Sequence, residues 1–534
     1  MNTNSKYLIV IIVIGLIVAI FSQWSAFVEP VVSDDVRAFF FMHKANDHEL
    51  FQNDLLTAYV ENPASTRATQ PVMWLFIFLS KFFDLIMISK ILPFIILIFT
   101  LLYAYKFGKL LKNKTTGFIL GILFSIHVWT MLLLDGATPR SFAFLLLFAF
   151  MYYFIKKDYI KSCITLVLSA WIYPLIFVIG VLTYCISFIN FRAKKLELTK
   201  EKIIPIILAV VIGLLLMPST LWNIENLGET YTLTEIVQMP EYYAKGRLPV
   251  FRGDIPFYES GIKEIARTFT NSYNLSMPII YLATPLLTLF ILFLILRRKA
   301  ALRLPKELWS MVLASILLHI LAWIFLIKLY LPSRYIQTTA IVFLLAVVSK
   351  NMDYYISKIK KHKHKIMTLA VIVIVLFVWY VPFIKDNLTL CENQDLYDFI
   401  STLPKDAVIA GHPKTMDCIP LYSKRIAFIM SELNLPINKD YYEEVKQRNY
   451  DLFTAYYASN LVQIKKFCKE NHVSHIVVDK YHFSDQYLNR STLYHPPFNE
   501  HIKAITQNRN FVLNTTRVKY STVFEDDSVY VIAC

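Results

Sequence analysis

Long apolar runs separated by short basic loops constrain this chain more than any other feature. A helix rises about 1.5 Å per residue, so about 20 apolar residues cross the hydrocarbon core of a bilayer. Tyr7 to Trp24 is the first such run, and others occupy 85–105, 116–134, 141–155, 159–172, 174–190, 203–219, 276–296, 307–327, 335–349 and 366–383. Together they predict about eleven spans, with a break at Tyr173-Pro174. The first run ends in aromatic Trp24, which suits an interface anchor, and lacks the small-residue cleavage site of a signal peptide. Composition agrees: 56% of residues are hydrophobic and 17% charged, a balance that a soluble globular chain of this length does not normally show.

Orientation follows from the basic residues. Lys106, Lys109, Lys112 and Lys114, then Lys156 and Lys157, Arg192, Lys194 and Lys195, Arg297 to Lys299, and Lys358 to Lys365 all fall on one side of such a chain. The positive-inside rule makes that side cytoplasmic. The expectation is a multi-pass plasma (inner) membrane protein with a cytoplasmic N-terminus, external loops at 25–84 and 220–275, and an external C-terminus. The apolar stretch Val72 to Phe83 must then lie along the membrane or dip into it, because one more span would reverse every later loop. A net charge of +15 serves this orientation. No basic groove with interleaved aromatics is present, so nucleic acid is not an expected partner.

The spans stop near Asp386. Residues 1–385 are read as the membrane domain and 386–534 as a soluble extracytoplasmic α/β domain. Strands are expected at Asp406 to Ala410, Val473 to Asp479, 511–515 and 528–533, and amphipathic helices at Tyr441 to Ala458 and Leu461 to Asn471. Cys391, Cys418, Cys468 and Cys534 fall in this domain. An oxidising compartment would allow one or two disulfides, with free buried thiols as the alternative. No CxxC pair, glycine-rich phosphate loop or nucleophile elbow appears.

Chemistry is expected at the external ends of the spans. Ser33-Asp34-Asp35-Val36-Arg37 follows the first span, and the loop continues through His43, Asp47, Glu49 and Asp54. Carboxylates at a membrane exit accept protons or hold a divalent cation, a possible cofactor here. Helix capping explains one acid more easily than two beside an arginine. Arg140, in Asp135-Gly-Ala-Thr-Pro-Arg140, and Arg334, followed by Tyr335, stand at external mouths against the prevailing basic bias. Arginine there clamps phosphate, or snorkels to lipid headgroups. Arg247, in the second external loop, is a further candidate. The spans are nearly free of interior charges and the chain holds only 12 glycines, so broken-helix transporter architecture is not evident.

This layout, with Asp34-Asp35 after the first span, resembles the GT-C superfamily of membrane glycosyltransferases. Phe51-Gln-Asn-Asp54, Pro139-Arg140-Ser-Phe, Gly246-Arg247 and Leu331-Pro-Ser-Arg334-Tyr335 are similar to segments of an uncharacterised bacterial group within it. The resemblance implies transfer of a hexosyl or pentosyl unit from a polyprenyl-phosphate carrier to a glycan, lipid or protein acceptor. It places acceptor activation or metal binding on Asp34 or Asp35, and substrate binding on Arg140, Arg247, Arg334 and Tyr335. A lipid-linked glycan flippase or polymerase, or a non-catalytic assembly factor, are the alternatives. A WWD triplet, the signature of asparagine-glycosylating enzymes, is absent.

Overall fold

The computed structural model describes residues 3–22, 31–32, 34–62, 69–127, 133–190, 195–217, 227–251, 303–326, 329, 331–359, 367, 389–516 and 522–534. Helices Leu85–Leu111, Lys306–Ile324 and Arg334–Ser357 are long and apolar enough to cross a membrane. Shorter apolar helices, among them Lys114–Ile126, Ala143–Ile155, Tyr159–Ile172 and Pro174–Ile186, pack between them. Asp84 caps the first long helix by accepting from Ile86 N at 2.7 Å. Arg334–Ser357 outlasts its apolar run, because its polar last turns carry Asp353, which takes Lys112 and accepts from Asn113 Nδ2 at 3.2 Å.

Exposed stripes show where lipid would lie. Ile9, Val13, Ile17 and Ile20 recur at helical spacing on one face, as do Ile91, Ile95 and Phe99, and Ile204, Ile207, Leu208 and Val211 on Lys200–Leu216. Inside the bundle, hydroxyls return to their own helix: Thr100 Oγ1 to Ile96 O at 2.7 Å, Thr183 Oγ1 to Ile179 O at 2.7 Å. That satisfies these two hydroxyls within their own helices. Leu85–Leu111 and Lys114–Ile126 meet at two glycines, since a Cβ on Gly117 would stand 2.6 Å from Tyr105 O and one on Gly108 would stand 2.8 Å from Gly117 Cα.

Several expectations change at this level. The 116–134 run is not one helix over its described residues: Lys114–Ile126 ends at His127, whose backbone is extended. The chain resumes in 3-10 turns at Asp135–Ala137 and Pro139–Phe142, turned by Gly136 at φ 74°. The apolar stretch 72–83 overlaps Gln70–Leu79, a ten-residue helix that at about 15 Å is too short to span. The expected span 276–296, nearly all of 366–383 and the boundary at 386 lie outside the described residues.

The C-terminal part carries a five-stranded sheet whose order is Ile426–Ala427, Val408–Gly411, His475–Asp479, Val529–Ala533, Thr522–Glu525. The first three strands are parallel and the last two pair antiparallel. Helices Gln394–Ser401, Lys439–Tyr456, Leu461–Glu470 and Phe498–Ile505 accompany it, each with an apolar face turned inward. The segment 511–515, read as a strand, is instead the helical turn Val512–Thr516. The sheet's antiparallel edge is the more polar Thr522–Glu525, whose burial alternates along the strand. Two disulfides, Cys391–Cys418 and Cys468–Cys534, tie this unit.

The loops preceding the unit clasp it. Val31–Val32 pairs with Thr389–Leu390. Tyr59 stacks on Tyr441 with ring centroids 3.9 Å apart. Lys439 N donates to Glu229 O at 2.9 Å, Tyr231 N to Ile437 O at 3.2 Å, and Tyr442 Oη to Glu241 Oε1 at 2.8 Å.

Candidate functional site

The first loop spends most of its acids on structure. Asp54 is buried and caps Leu55–Glu61, accepting from Thr57 N at 2.8 Å and Thr57 Oγ1 at 2.6 Å. Its carboxyl is raised above the usual range by burial, against those bonds. Asp47 and Glu49 both hold Lys405, each at 2.7 Å, and so tether the loop to the C-terminal unit. His43 is buried and its Nε2 donates to Leu421 O at 2.9 Å. Burial lowers its pKa, so the ring is held neutral.

The short helix Asp34–Arg37 then divides its charges. Asp34's side chain lies outside the described residues. Asp35 faces Arg140, with Oδ2 3.1 Å from Nε and the two side chains 21% and 24% exposed. The contact is an ion pair rather than a well-aligned hydrogen bond, since Arg140 Nε has no hydrogen-bond partner. Arg140 owes its place to the Thr138-Pro139 start of its 3-10 turn, where Ser141 N donates to Thr138 O at 2.9 Å. The pair is thus half-open, on a turn fixed by its own backbone.

Arg37, two residues on, points the other way. Its Nη1 lies 2.7 Å from Asp417 Oδ2 and its Nη2 3.2 Å from Glu432 Oε2, with all three side chains under 10% exposed. Arg247 completes this cluster: Nε donates to Ser431 O at 2.9 Å, and Nη2 to Glu432 O at 2.8 Å and to Glu432 Oε2 at 3.2 Å. Glu432 N donates to Asp417 Oδ1 at 2.8 Å. Burial pushes the Asp417 carboxyl up to about 6, against the pull of Arg37. Arg37, Asp417 and Glu432 were not anticipated from sequence, and their pairing spans about 400 positions with no local signal.

Arg334 opens Arg334–Ser357 and is half-buried, its N–H donating to Leu331 O at 3.1 Å. Tyr335 is buried, its hydroxyl donating to Leu329 O at 2.9 Å. His319, which sequence reasoning also passed over, holds Pro332 O at 2.9 Å and so fixes the turn that carries Arg334. The structure therefore brings Asp35 to Arg140, brings Arg247 to the Arg37 cluster, and anchors Arg334 and Tyr335 through separate contacts. Lys90, half-buried on Leu85–Leu111, lies within electrostatic reach of Asp84 and Asp135 and adds a cation near Arg140's turn.

Among the described residues no group of three or more His, Cys, Asp or Glu is placed to hold a metal ion. The Asp35 carboxylate faces a guanidinium, a poor neighbour for a divalent cation.

No protein-family model matches the chain, and no curated protein sequence does. Solved structures do. The oligosaccharyltransferase of the archaeon Archaeoglobus fulgidus in its apo form aligns over 95% of this chain and 72% of its own, at 11% identity and TM-score 0.54. The A. fulgidus oligosaccharyltransferase AglB in complex with an inhibitory peptide and a dolichol-phosphate aligns over 91% and 70%, at 12% identity and TM-score 0.46. The enzyme tethered to an acceptor peptide aligns over 91% and 70%, at 11% identity and TM-score 0.48. At this identity the likeness is one of architecture: the chain has the fold of the archaeal oligosaccharyltransferase.

Proposed function

We propose that this protein is a glycosyltransferase that moves a sugar from a polyprenyl-phosphate carrier to an acceptor at the extracytoplasmic membrane face. The observation that carries the reading is the partly exposed Asp35–Arg140 pair, in a fold shared with an oligosaccharyltransferase. Of the described first-loop acids, Asp47, Glu49 and Asp54 hold a lysine or a helix start. Glu61 likewise holds Lys44 and Asp84 caps a helix; Asp35, which faces Arg140, and its neighbour Asp34 are the acids proposed for chemistry. In the proposed step the acceptor oxygen attacks the anomeric carbon and the carbon–oxygen bond to phosphate breaks with inversion. An aspartate takes the acceptor proton, and Arg140, with Arg334, offsets the charge gathering on the departing phosphate. Such interactions strengthen as charge develops, which is where they accelerate the reaction.

The two disulfides of the C-terminal unit favour an oxidising compartment. Lys112, Lys161, Lys202 and Lys306, with the acids Asp353, Asp158 and Glu197, mark the opposite ends of the helices. The proposed orientation is tested by labelling: a cysteine replacing Lys405 should react with a membrane-impermeant reagent added outside cells, and one replacing Lys109 should be protected. The reverse pattern would overturn the topology. The likeness to the uncharacterised bacterial group rests on the sequence segments alone.

The test of function is the double variant Asp34→Asn, Asp35→Asn. Transfer of glycan in membranes should fall about 100- to 10,000-fold with the protein at normal abundance. Asn keeps most of the capping ability of Asp, so full transfer by the variant would remove the catalytic assignment. A flippase or an assembly factor would also be exposed by this measurement, because neither forms a new glycosidic bond.

A further inference from the structure

On the basic face, Leu85–Leu111, Thr3–Ser22 and Ala143–Ile155 surround a cavity of about 470 Å³. Three leucines line it together with Tyr105, Lys106, Lys109, Tyr152 and Lys156. It lies about 24 Å along the helix from Lys90, at the far end from the Asp35–Arg140 pair.

Its lysines differ from their neighbours. Lys112, Lys161, Lys202 and Lys306 on the same face each have a carboxylate within 4 Å. Lys106, Lys109 and Lys156 have none among the described residues. Instead Lys106 and Lys156 share one ring, at 6.0 Å and 5.9 Å from the Tyr152 centroid, and Lys106 also sits 5.1 Å from Tyr103. Two ammonium groups gathered on one ring repel each other unless an anion joins them. The positive-inside rule explains lysines on this face. It does not explain their convergence on a cavity.

A second observation points the same way. Tyr105 is 5% exposed, and its hydroxyl is buried without a hydrogen-bond partner. A buried donor left unmade is costly, and this one belongs to a side chain that lines the cavity. Cations, an unsatisfied hydroxyl and apolar leucines together match a phosphate headgroup with its acyl chains beside it.

We propose that this cavity binds the phosphate headgroup of an anionic phospholipid from the cytoplasmic leaflet. The lysines supply the charge, the Tyr105 hydroxyl donates to a phosphate oxygen, and the leucines meet the glycerol and upper chains. Free phosphate has the same headgroup chemistry but gains nothing from the leucines, so lipid should be preferred.

The experiment uses the full-length chain in zwitterionic detergent, with binding followed by native mass spectrometry and by thermal stability. Phosphatidylglycerol should bind saturably and raise the melting temperature, while phosphatidylcholine and inorganic phosphate should do neither. Lys106→Gln, Lys109→Gln, Lys156→Gln together should weaken phosphatidylglycerol on the order of 100-fold, from about fivefold per lysine near the headgroups. Lys157→Gln, an exposed neighbour outside the cavity, should leave binding unchanged. Tyr105→Phe removes only the hydroxyl and should weaken binding by about three- to tenfold, which keeps a reading if the triple variant fails to fold. Equal binding of phosphatidylcholine, equal binding of inorganic phosphate, or undiminished binding by both Tyr105→Phe and the triple variant would each overturn the proposal.

Discussion

Asp35 and Arg37 stand two residues apart on one short helix, yet they enter opposite kinds of environment. Asp35 meets Arg140 where both side chains keep over 20% exposure. Arg37 meets Asp417 and Glu432 where all three keep under 10%. The charges are alike and the distances similar, so burial separates the roles. An ion pair open to solvent contributes little to stability and remains available to substrate. A buried cluster cannot lose one partner without stranding the others, and so it acts as a clasp between the loops and the C-terminal unit. The comparison teaches that burial, and not charge alone, divides the residues of these loops; Arg247, expected to bind substrate, makes its contacts within the clasp.

The largest contrast comes from carboxamide replacement of Asp34 and Asp35, which should cost about 100- to 10,000-fold in transfer while the melting temperature of the full chain holds. Arg37→Met should do the opposite, lowering stability by about 3–5 kcal/mol in thermal unfolding, with transfer per folded molecule preserved. A stable Arg37→Met protein without transfer would break the distinction.

Acid sharpens the same comparison, because the clasped unit buries neutral histidines. His482 lies tilted against His412 with ring centroids 3.8 Å apart, and burial pulls its pKa down to about 4. A folded pKa below the unfolded value of about 6.5 means that its neutral form is favoured in the fold. That contribution is present above pH 6.5 and is lost as pH falls toward 4. Over that window the parent should lose roughly 3 kcal/mol relative to His482→Gln. Asp417, with its pKa raised to about 6, shifts both proteins in the other direction and cancels in the difference. Melting temperatures of the two proteins across pH 4 to 7 check this; parallel curves would mean that His482 is not held neutral.

The smallest effect is expected at Arg140. Arg140→Lys keeps charge and loses the fork, so transfer should fall about tenfold, less than in Arg140→Ala. Equal loss in the two variants would assign Arg140 to shape rather than to charge.

Local signals carried much of the fold. Apolar length announced Leu85–Leu111 and Lys306–Ile324, Pro174 announced the break after Tyr173, and alternating or fully apolar runs announced Val408–Gly411, His475–Asp479 and Val529–Ala533. Each depends on residues within one helix or strand. Val512–Thr516 was misread because its apolar and β-branched residues favour a strand on their own. The sheet instead takes its edge from the polar Thr522–Glu525. Arg334–Ser357 was read short because hydropathy reports the bilayer, and the helix continues past it.

Sequence by itself determined the solvent of this chain, its basic and non-basic faces, the approximate ends of its helices and the residues worth suspecting, because hydrophobicity and charge bias act over tens of residues. Tertiary structure alone decided which suspect meets which. Asp35 reaches Arg140 across about 100 positions and Arg37 reaches Asp417 across 380, and no propensity encodes such meetings. They arise when packed helices and clasping loops exclude water, and the same exclusion turns one ion pair into a clasp and leaves the other open.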